Sequence, residues 1–360
     1  MKKYNNLFLV ISSILISFFL IELFFFFKNF QLNKNYKFSL HNQRFMLFEE
    51  GLVFKNYGKI FKYHPNKKIL SQTFYNVNDK WHKEYEYEIS TNNFGLVQKN
   101  NIIKNVPSIL FLGDSFIEGQ GSDAWVNYFE GNYKDYQIIN GGIMGTGPQQ
   151  FELLEEHISK IFQIEKLIFF YIGDDLRRNI FNIEEKTLAC LKNHLNCIGT
   201  ENFYGFPLRK QNPISFLENL NETRINQMNN LGLYEKAKLK IKKFITNLYS
   251  IKLINNFLKQ KFYTSKNEYI KRNFRSIENL IKKYDNSIIF IQLKNKNEII
   301  HGKEYDTFFA ENFIKSLNNN HFICDFDNDI SNFYKLDMHP NRKGYKSLYN
   351  CVIKILNENF

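Results

Sequence analysis

Apolar positions along the chain fall into three textures. Residues 7–27, LFLVISSILISFFLIELFFFF, are apolar with no period and carry one charge, Glu22. At 1.5 Å per residue such a run reaches about 30 Å, the thickness of a bilayer core. It is longer than a signal-peptide core, and no small-x-small cleavage site comes after it. The pattern therefore predicts an uncleaved membrane anchor over residues 1–30. Lys2 and Lys3 favour a cytoplasmic N-terminus, against the opposing vote of Lys28, Lys34 and Lys37. Everything after residue 30 is then expected outside the cytoplasm, on the periplasmic face of an inner membrane.

The second texture, residues 31–106, is polar and aromatic, with period-two alternation in EYEYEIS (84–90). It predicts an N-terminal extension with some strand, packed on the domain that follows it. From residue 107 the third texture begins, in which apolar runs alternate with helical patterns. The runs are SILFLG (108–113), YQIIN (136–140), KLIFFYI (166–172), SIIFIQL (287–293) and HFICDF (321–326). Such runs between helices predict βαβ units and a parallel sheet buried on both faces. One helix is expected over 148–162, opening on Pro148. Another ends the chain, with Tyr345, Leu348, Tyr349, Val352 and Leu356 on its apolar face. The expected architecture is a three-layer α/β/α domain over 107–357, interrupted by a helical insertion at about 182–284.

Charge changes the picture less than its size suggests. The net charge is +12, and residues 209–285 alone hold 17 basic and 6 acidic side chains. The excess thus belongs to the insertion. An anchored domain outside the cytoplasm excludes nucleic acid as a partner. A basic amphipathic helix is expected over 235–259. It either packs its apolar face on the core with its lysines solvated, or lies on anionic lipid or an acidic polymer. With 38 Phe and 21 Tyr the chain is not intrinsically disordered, and four cysteines are too few for a disulfide scaffold of 360 residues.

Candidate chemistry sits at the carboxyl ends of the predicted strands, where open parallel sheets bind ligands. The first strand runs into Gly113-Asp114-Ser115-Phe116. The second ends in Asn140-Gly141-Gly142-Ile143-Met144-Gly145, the third in Gly173-Asp174-Asp175. Asp337-Met338-His339-Pro340-Asn341 precedes the last helix. Each piece has a plainer reading: Ser115 as a helix cap, Gly142 and Gly145 as turn glycines, His339 as a loop residue before Pro340. Ile117 stands where a G-x-S-x-G elbow would need its second glycine.

All the pieces in this order resemble the SGNH, or GDSL-like, hydrolase family, over about residues 107–180 and 287–357. The resemblance implies a flavodoxin-like fold and ester hydrolysis through a serine nucleophile, with no metal and no cofactor. By it Ser115 is the nucleophile, His339 the general base and Asp337 the group that orients the imidazole. The backbone N–H groups of Ser115 and Gly142 are then two of the three oxyanion donors. Asn140 and Asn341 are expected to brace the loops.

Two departures stand out. The family's third oxyanion donor is an Asn side chain, and here Asp174 holds that place, with Asp175 beside it. A carboxylate accepts hydrogen bonds and does not donate them. Three routes stay open: a protonated Asp174, Asn179 reaching in, or sufficiency of the backbone donors. The acid also stands two residues before the histidine instead of three, with Asp325 and Asp327 as fallbacks.

Outside the cytoplasm Cys190 and Cys197 are expected to pair. His194 between them suggests zinc, but the local ligands number only three. Cys324 and Cys351 are expected as buried, inert thiols. The function expected is hydrolysis of an acyl ester, acetyl by preference, on an envelope glycan or lipid. The alternatives are transfer of the acyl group to a polysaccharide hydroxyl, and an impaired domain that only binds.

Overall fold

The computed structural model describes residues 44–180, 205–207 and 268–359, apart from 49–53, 59, 78–79, 123, 130, 134, 304 and 318–319. It also describes short stretches within 9–24 and 212–241. By contact the chain divides into two units, residues 43–211 with 268–360, and residues 1–42 with 212–267. The described stretches of the second unit are short helical pieces with mostly exposed side chains. Among the described residues no helix is long and apolar enough to cross a membrane. The 7–27 run lies only partly within them, and the 235–259 helix almost wholly outside.

The larger unit opens with five strands: β1 (Arg44–Phe48), β2 (Phe54–Tyr57), β3 (Ile60–Tyr63), β4 (Lys68–Val77) and β5 (Lys80–Ser90). β2 and β3 form a hairpin, while β5, β4 and β1 form an antiparallel sheet. The alternation read in EYEYEIS is real. Tyr85, Tyr87 and Ile89 are buried, and the glutamates between them face out.

Next come β6 (Ser108–Gly113), α1 (Ser115–Glu118), β7 (Gln137–Gly142), α2 (Pro148–Ser159) and β8 (Ile164–Tyr171). A short strand β9 (Gly205–Pro207) returns to pair in parallel with β1. The chain then runs through α3 (Glu268–Tyr284), β10 (Ile288–Leu293), α4 (Lys296–His301), α5 (Tyr305–Ser316), β11 (His321–Cys324) and α6 (Arg342–Asn359). Glu268–Tyr284, assigned from sequence to the insertion, belongs instead to the α/β core as a crossover helix. Its Ile270, Ile277 and Leu280 are buried.

The central sheet has the order β11-β10-β8-β6-β7, all parallel. Numbered within the sheet this is 2-1-3-4-5, the flavodoxin-like order. Right-handed crossovers put α2, α3 and α5 on one face and α6 on the other. Ring contacts agree: Phe274 of α3 stacks on Phe313 of α5 at 3.8 Å, and Tyr349 of α6 meets Phe129 at 4.8 Å. One hydrophobic core runs from Met46 and Phe61 of the N-terminal strands through β6, β8 and β10 to Leu356.

The cysteine reading is corrected. Cys324 at the end of β11 is disulfide-bonded to Cys351 of α6. The helix packs across the last strand and brings their Cα atoms to 6.0 Å, a proximity that spacing alone does not reveal. Closing a loop with a sequence separation of 27 contributes about 3.5 kcal/mol in the chain-entropy account. Cys190 and Cys197 lie outside the described residues.

Candidate active site

The order 2-1-3-4-5 reverses between β6 and β8, and the crevice beyond their carboxyl ends is where such sheets bind ligands. β6 delivers Asp114 and Ser115 there. Asp114 caps α1 by accepting the Phe116 N–H at 2.9 Å, so Ser115 becomes the first helical residue. Gly119, at φ 90°, ends the helix after one turn. The turn is this tight because β7 leans directly on it. A Cβ on Gly142 would sit 2.1 Å from the Glu118 nitrogen.

His339 reaches Ser115 from the loop before α6. Its Nε2 lies 2.8 Å from Ser115 Oγ, and its Nδ1 lies 2.6 Å from Asp337 Oδ1. Asp337 Oδ1 also accepts the His339 backbone N–H at 3.1 Å. Ser115 and His339 are each 7% exposed and Asp337 2%, so the relay runs from a sheltered serine into the interior. The fallbacks are used elsewhere. Asp325 caps the turn at Phe326–Asn328, and Asp327 accepts the Ser347 hydroxyl at 2.6 Å.

Asp337 is surrounded by the N-terminal sheet. Its Oδ2 accepts the Tyr85 hydroxyl at 2.6 Å, and Arg44 Nη2 stands 3.5 Å away. Burial would raise this carboxyl, but the Arg44 guanidinium, His339 and the Tyr85 hydroxyl together hold it well below the usual carboxylate range.

The oxyanion reading needs correction at Gly142. β7 continues two residues past the predicted Asn140, and the Gly142 N–H is donated to Asn140 Oδ1 at 3.0 Å. The next two N–H groups are committed as well, Ile143 to the Gly113 carbonyl and Met144 to Glu118 Oε2. Gly145, exposed and at φ 72°, makes no hydrogen bond through its N–H among the described residues, and neither does the N–H of Ser115. Both N–H groups are thus without a partner among the described residues.

Asp174 and Asp175 have different fates. Asp175 is fully buried, and its Oδ2 accepts the Ile172 N–H at 2.9 Å. The Asp174 side chain is 41% exposed and faces Arg178 Nη2 at 3.3 Å. Arg178 Nη1 lies 3.0 Å from Asp114 Oδ2 and 2.8 Å from Asp175 Oδ1, and donates to the Thr146 carbonyl at 2.9 Å. One guanidinium thus ties the loop after β6, the loop after β7 and the turn after β8. Asn179 is exposed beyond that turn. Asn140 donates to the Val97 carbonyl, and Asn341 to those of Ser331 and Phe333, so both brace loops.

Arg44, Tyr85, Glu118 and Arg178 were not among the residues picked from sequence, and Gly145 was read there only as a turn glycine. Arg178 had a visible signal, standing four and three residues after two aspartates, and Glu118 came one turn after Ser115. Glu118 is buried and holds the loop before Gly145, accepting the Tyr63 hydroxyl at 2.7 Å and the Met144 N–H at 2.6 Å. Burial pushes its carboxyl up from 4.5 to about 7, against those two bonds. A raised carboxyl stabilises the fold fully below its unfolded value, and that contribution fades as pH rises through the folded one. Thermal stability is therefore expected to fall between about pH 5 and pH 7.5. Glu118→Gln, which can accept from Met144 and donate to Tyr63, should flatten that slope in melting curves taken across pH.

No known family pattern matches the chain, and no curated protein does. Among solved structures, a member of the lipolytic protein G-D-S-L family from Veillonella parvula DSM 2008 is 10% identical, with a TM-score of 0.34. The alignment covers 70% of this chain and 98% of that one. The lipase/acylhydrolase from Enterococcus faecalis is 10% identical with a TM-score of 0.35, over 69% and 95% of the two chains. Likeness at this level carries no weight, and the site rests on its own geometry.

Proposed function

We propose that the protein is a serine ester hydrolase of SGNH type. The observation that carries this reading is the unbroken relay Ser115 Oγ–His339 Nε2, His339 Nδ1–Asp337 Oδ1, with links of 2.8 and 2.6 Å. As Ser115 Oγ bonds to the acyl carbon, its proton passes to His339 Nε2, and the carbonyl oxygen takes the negative charge. Asp337 fixes the tautomer and stabilises the imidazolium. The N–H groups of Ser115 and Gly145, which have no partner among the described residues, are the donors we assign to the oxyanion. Collapse breaks the ester C–O bond, and His339 returns the proton to the leaving alcohol. Water then cleaves the acyl-enzyme by the same route.

The reading extends to location and substrate class. The apolar run 7–27 supports an anchor, and the Cys324–Cys351 disulfide supports an oxidising compartment. An acyl ester on an envelope glycan or lipid suits a domain held at that surface. Asp174 is absorbed without a catalytic role: its charge is offset by Arg178, and the backbone donors take over the oxyanion.

The test is labelling of the detergent-solubilised full chain with a fluorophosphonate, the modified residue being mapped by mass spectrometry. Adduct on Ser115 that disappears in His339→Ala is the expected result. A folded chain that stays unlabelled would overturn the proposal.

A further inference from the structure

The acid of the relay is held from outside the α/β domain. β1, β4 and β5 present one face toward the loop 334–339, and that face is studded with polar side chains. Tyr85 donates its hydroxyl to Asp337 Oδ2 at 2.6 Å while accepting from Gln120 Nε2 at 2.9 Å and from Arg44 Nη2 at 3.2 Å. Arg44 is itself 3.5 Å from Oδ2. The Tyr85 ring packs on Tyr334 at 4.3 Å, and the neighbouring Glu84 accepts the Leu336 N–H at 2.8 Å. Lys296 of α4 donates to the Tyr334, Lys335 and Asp337 carbonyls from the other side.

We infer that Arg44 and Tyr85 are positioning residues for the triad: by occupying Asp337 Oδ2 they aim Oδ1 at the imidazole, which makes the N-terminal sheet part of the catalytic apparatus. The inference rests on the proposed esterase reading. It accounts for the short spacing between acid and base. With one residue between them, the loop's own backbone meets one carboxylate oxygen, Oδ1, through the His339 N–H. The other oxygen is held by the Tyr85 hydroxyl, 252 residues away in sequence, and by Arg44 on β1. Arg44 also tunes the site. A cation beside the carboxylate weakens the pull of Asp337 on the imidazolium, which favours proton return to the leaving group.

The groups facing Asp337 from the packed elements are Arg44 on β1, Tyr75 on β4, Glu84 and Tyr85 on β5, Lys296 on α4, Tyr345 on α6, and Tyr334 and His339 on its own loop. Among them Arg44 and Lys296 are the cations, and Arg44 is the one whose guanidinium pairs with the carboxylate.

The experiment uses the full chain and p-nitrophenyl acetate, with fluorophosphonate titration to count working sites. Tyr85→Phe keeps the ring on Tyr334 and removes one hydroxyl. It is expected to lower kcat per working site about tenfold or more, with KM unchanged. Arg44→Met is expected to move the acid limb of the pH–rate profile to higher pH, because the imidazolium is no longer opposed by a cation. Arg44→Lys should restore most of that shift. A merely structural role would reduce the number of titratable sites while leaving kcat per site and the pH midpoint in place, and that result would overturn the inference. Should Arg44→Met fail to fold, Tyr85→Phe decides alone. A wild-type chain that neither turns over ester nor titrates would instead sink the esterase reading.

Discussion

Ser115→Ala is expected to reduce ester turnover by about 10⁵–10⁶-fold while leaving the melting temperature within a few degrees of wild type. The two halves of that outcome have separate causes. The hydroxyl is the atom that bonds to the acyl carbon, so its loss removes the covalent route entirely. The helix start does not depend on it, because Asp114 supplies the cap that satisfies the Phe116 N–H. A residual rate from the backbone donors and from His339 acting on water sets the floor. Steady-state kinetics beside a melting curve reads both quantities. Retention of even a tenth of the activity would show that Ser115 is not the nucleophile.

Gly142→Ala is expected to be the most damaging substitution of a single methyl in the site, destabilising the fold by about 3–5 kcal/mol. The added carbon would lie 2.1 Å from the Glu118 nitrogen and 2.4 Å from the Ile117 carbonyl carbon. Both are backbone atoms of α1, so no side-chain rotation relieves the overlap. Either β7 or the turn that carries Ser115 must move, and fluorophosphonate labelling should fall even in the molecules that remain folded. Gly145→Ala gives a contrast. Its left-handed backbone at φ 72° costs about 1–2 kcal/mol, and its N–H stays available. Denaturant melts of the two variants side by side check the ranking. Equal stability of Gly142→Ala and wild type would refute the close packing.

The five strands of the central sheet were legible because parallel strands covered on both faces are mostly apolar, and β6, β10 and the last five residues of β8 are buried along their length. Ser115, Asp337 and His339 were legible through motif order at strand ends. Gly142 was misread for a local reason. The apolar run stops at Asn140, but the strand continues because glycine needs no side-chain burial to stay in a ladder, and the N–H assumed to be open is spent on Asn140. Arg44 and Tyr85 left no trace near the motifs because their partner is remote in the chain. The disulfide partners could not be read either, since pairing depends on how α6 lies across β11.

That disulfide encloses the loop bearing Asp337 and His339 within a covalent ring, while Ser115 and the sheet that grips Asp337 stand outside it. A protease that cuts at exposed Lys335, inside the ring, would nick the chain without shedding either piece. The acid and base halves of the relay would stay tethered to the strand beside them and free to settle back against Ser115. This makes the site tolerant of a backbone break at its own rim, and that tolerance would vanish in the presence of a thiol reductant.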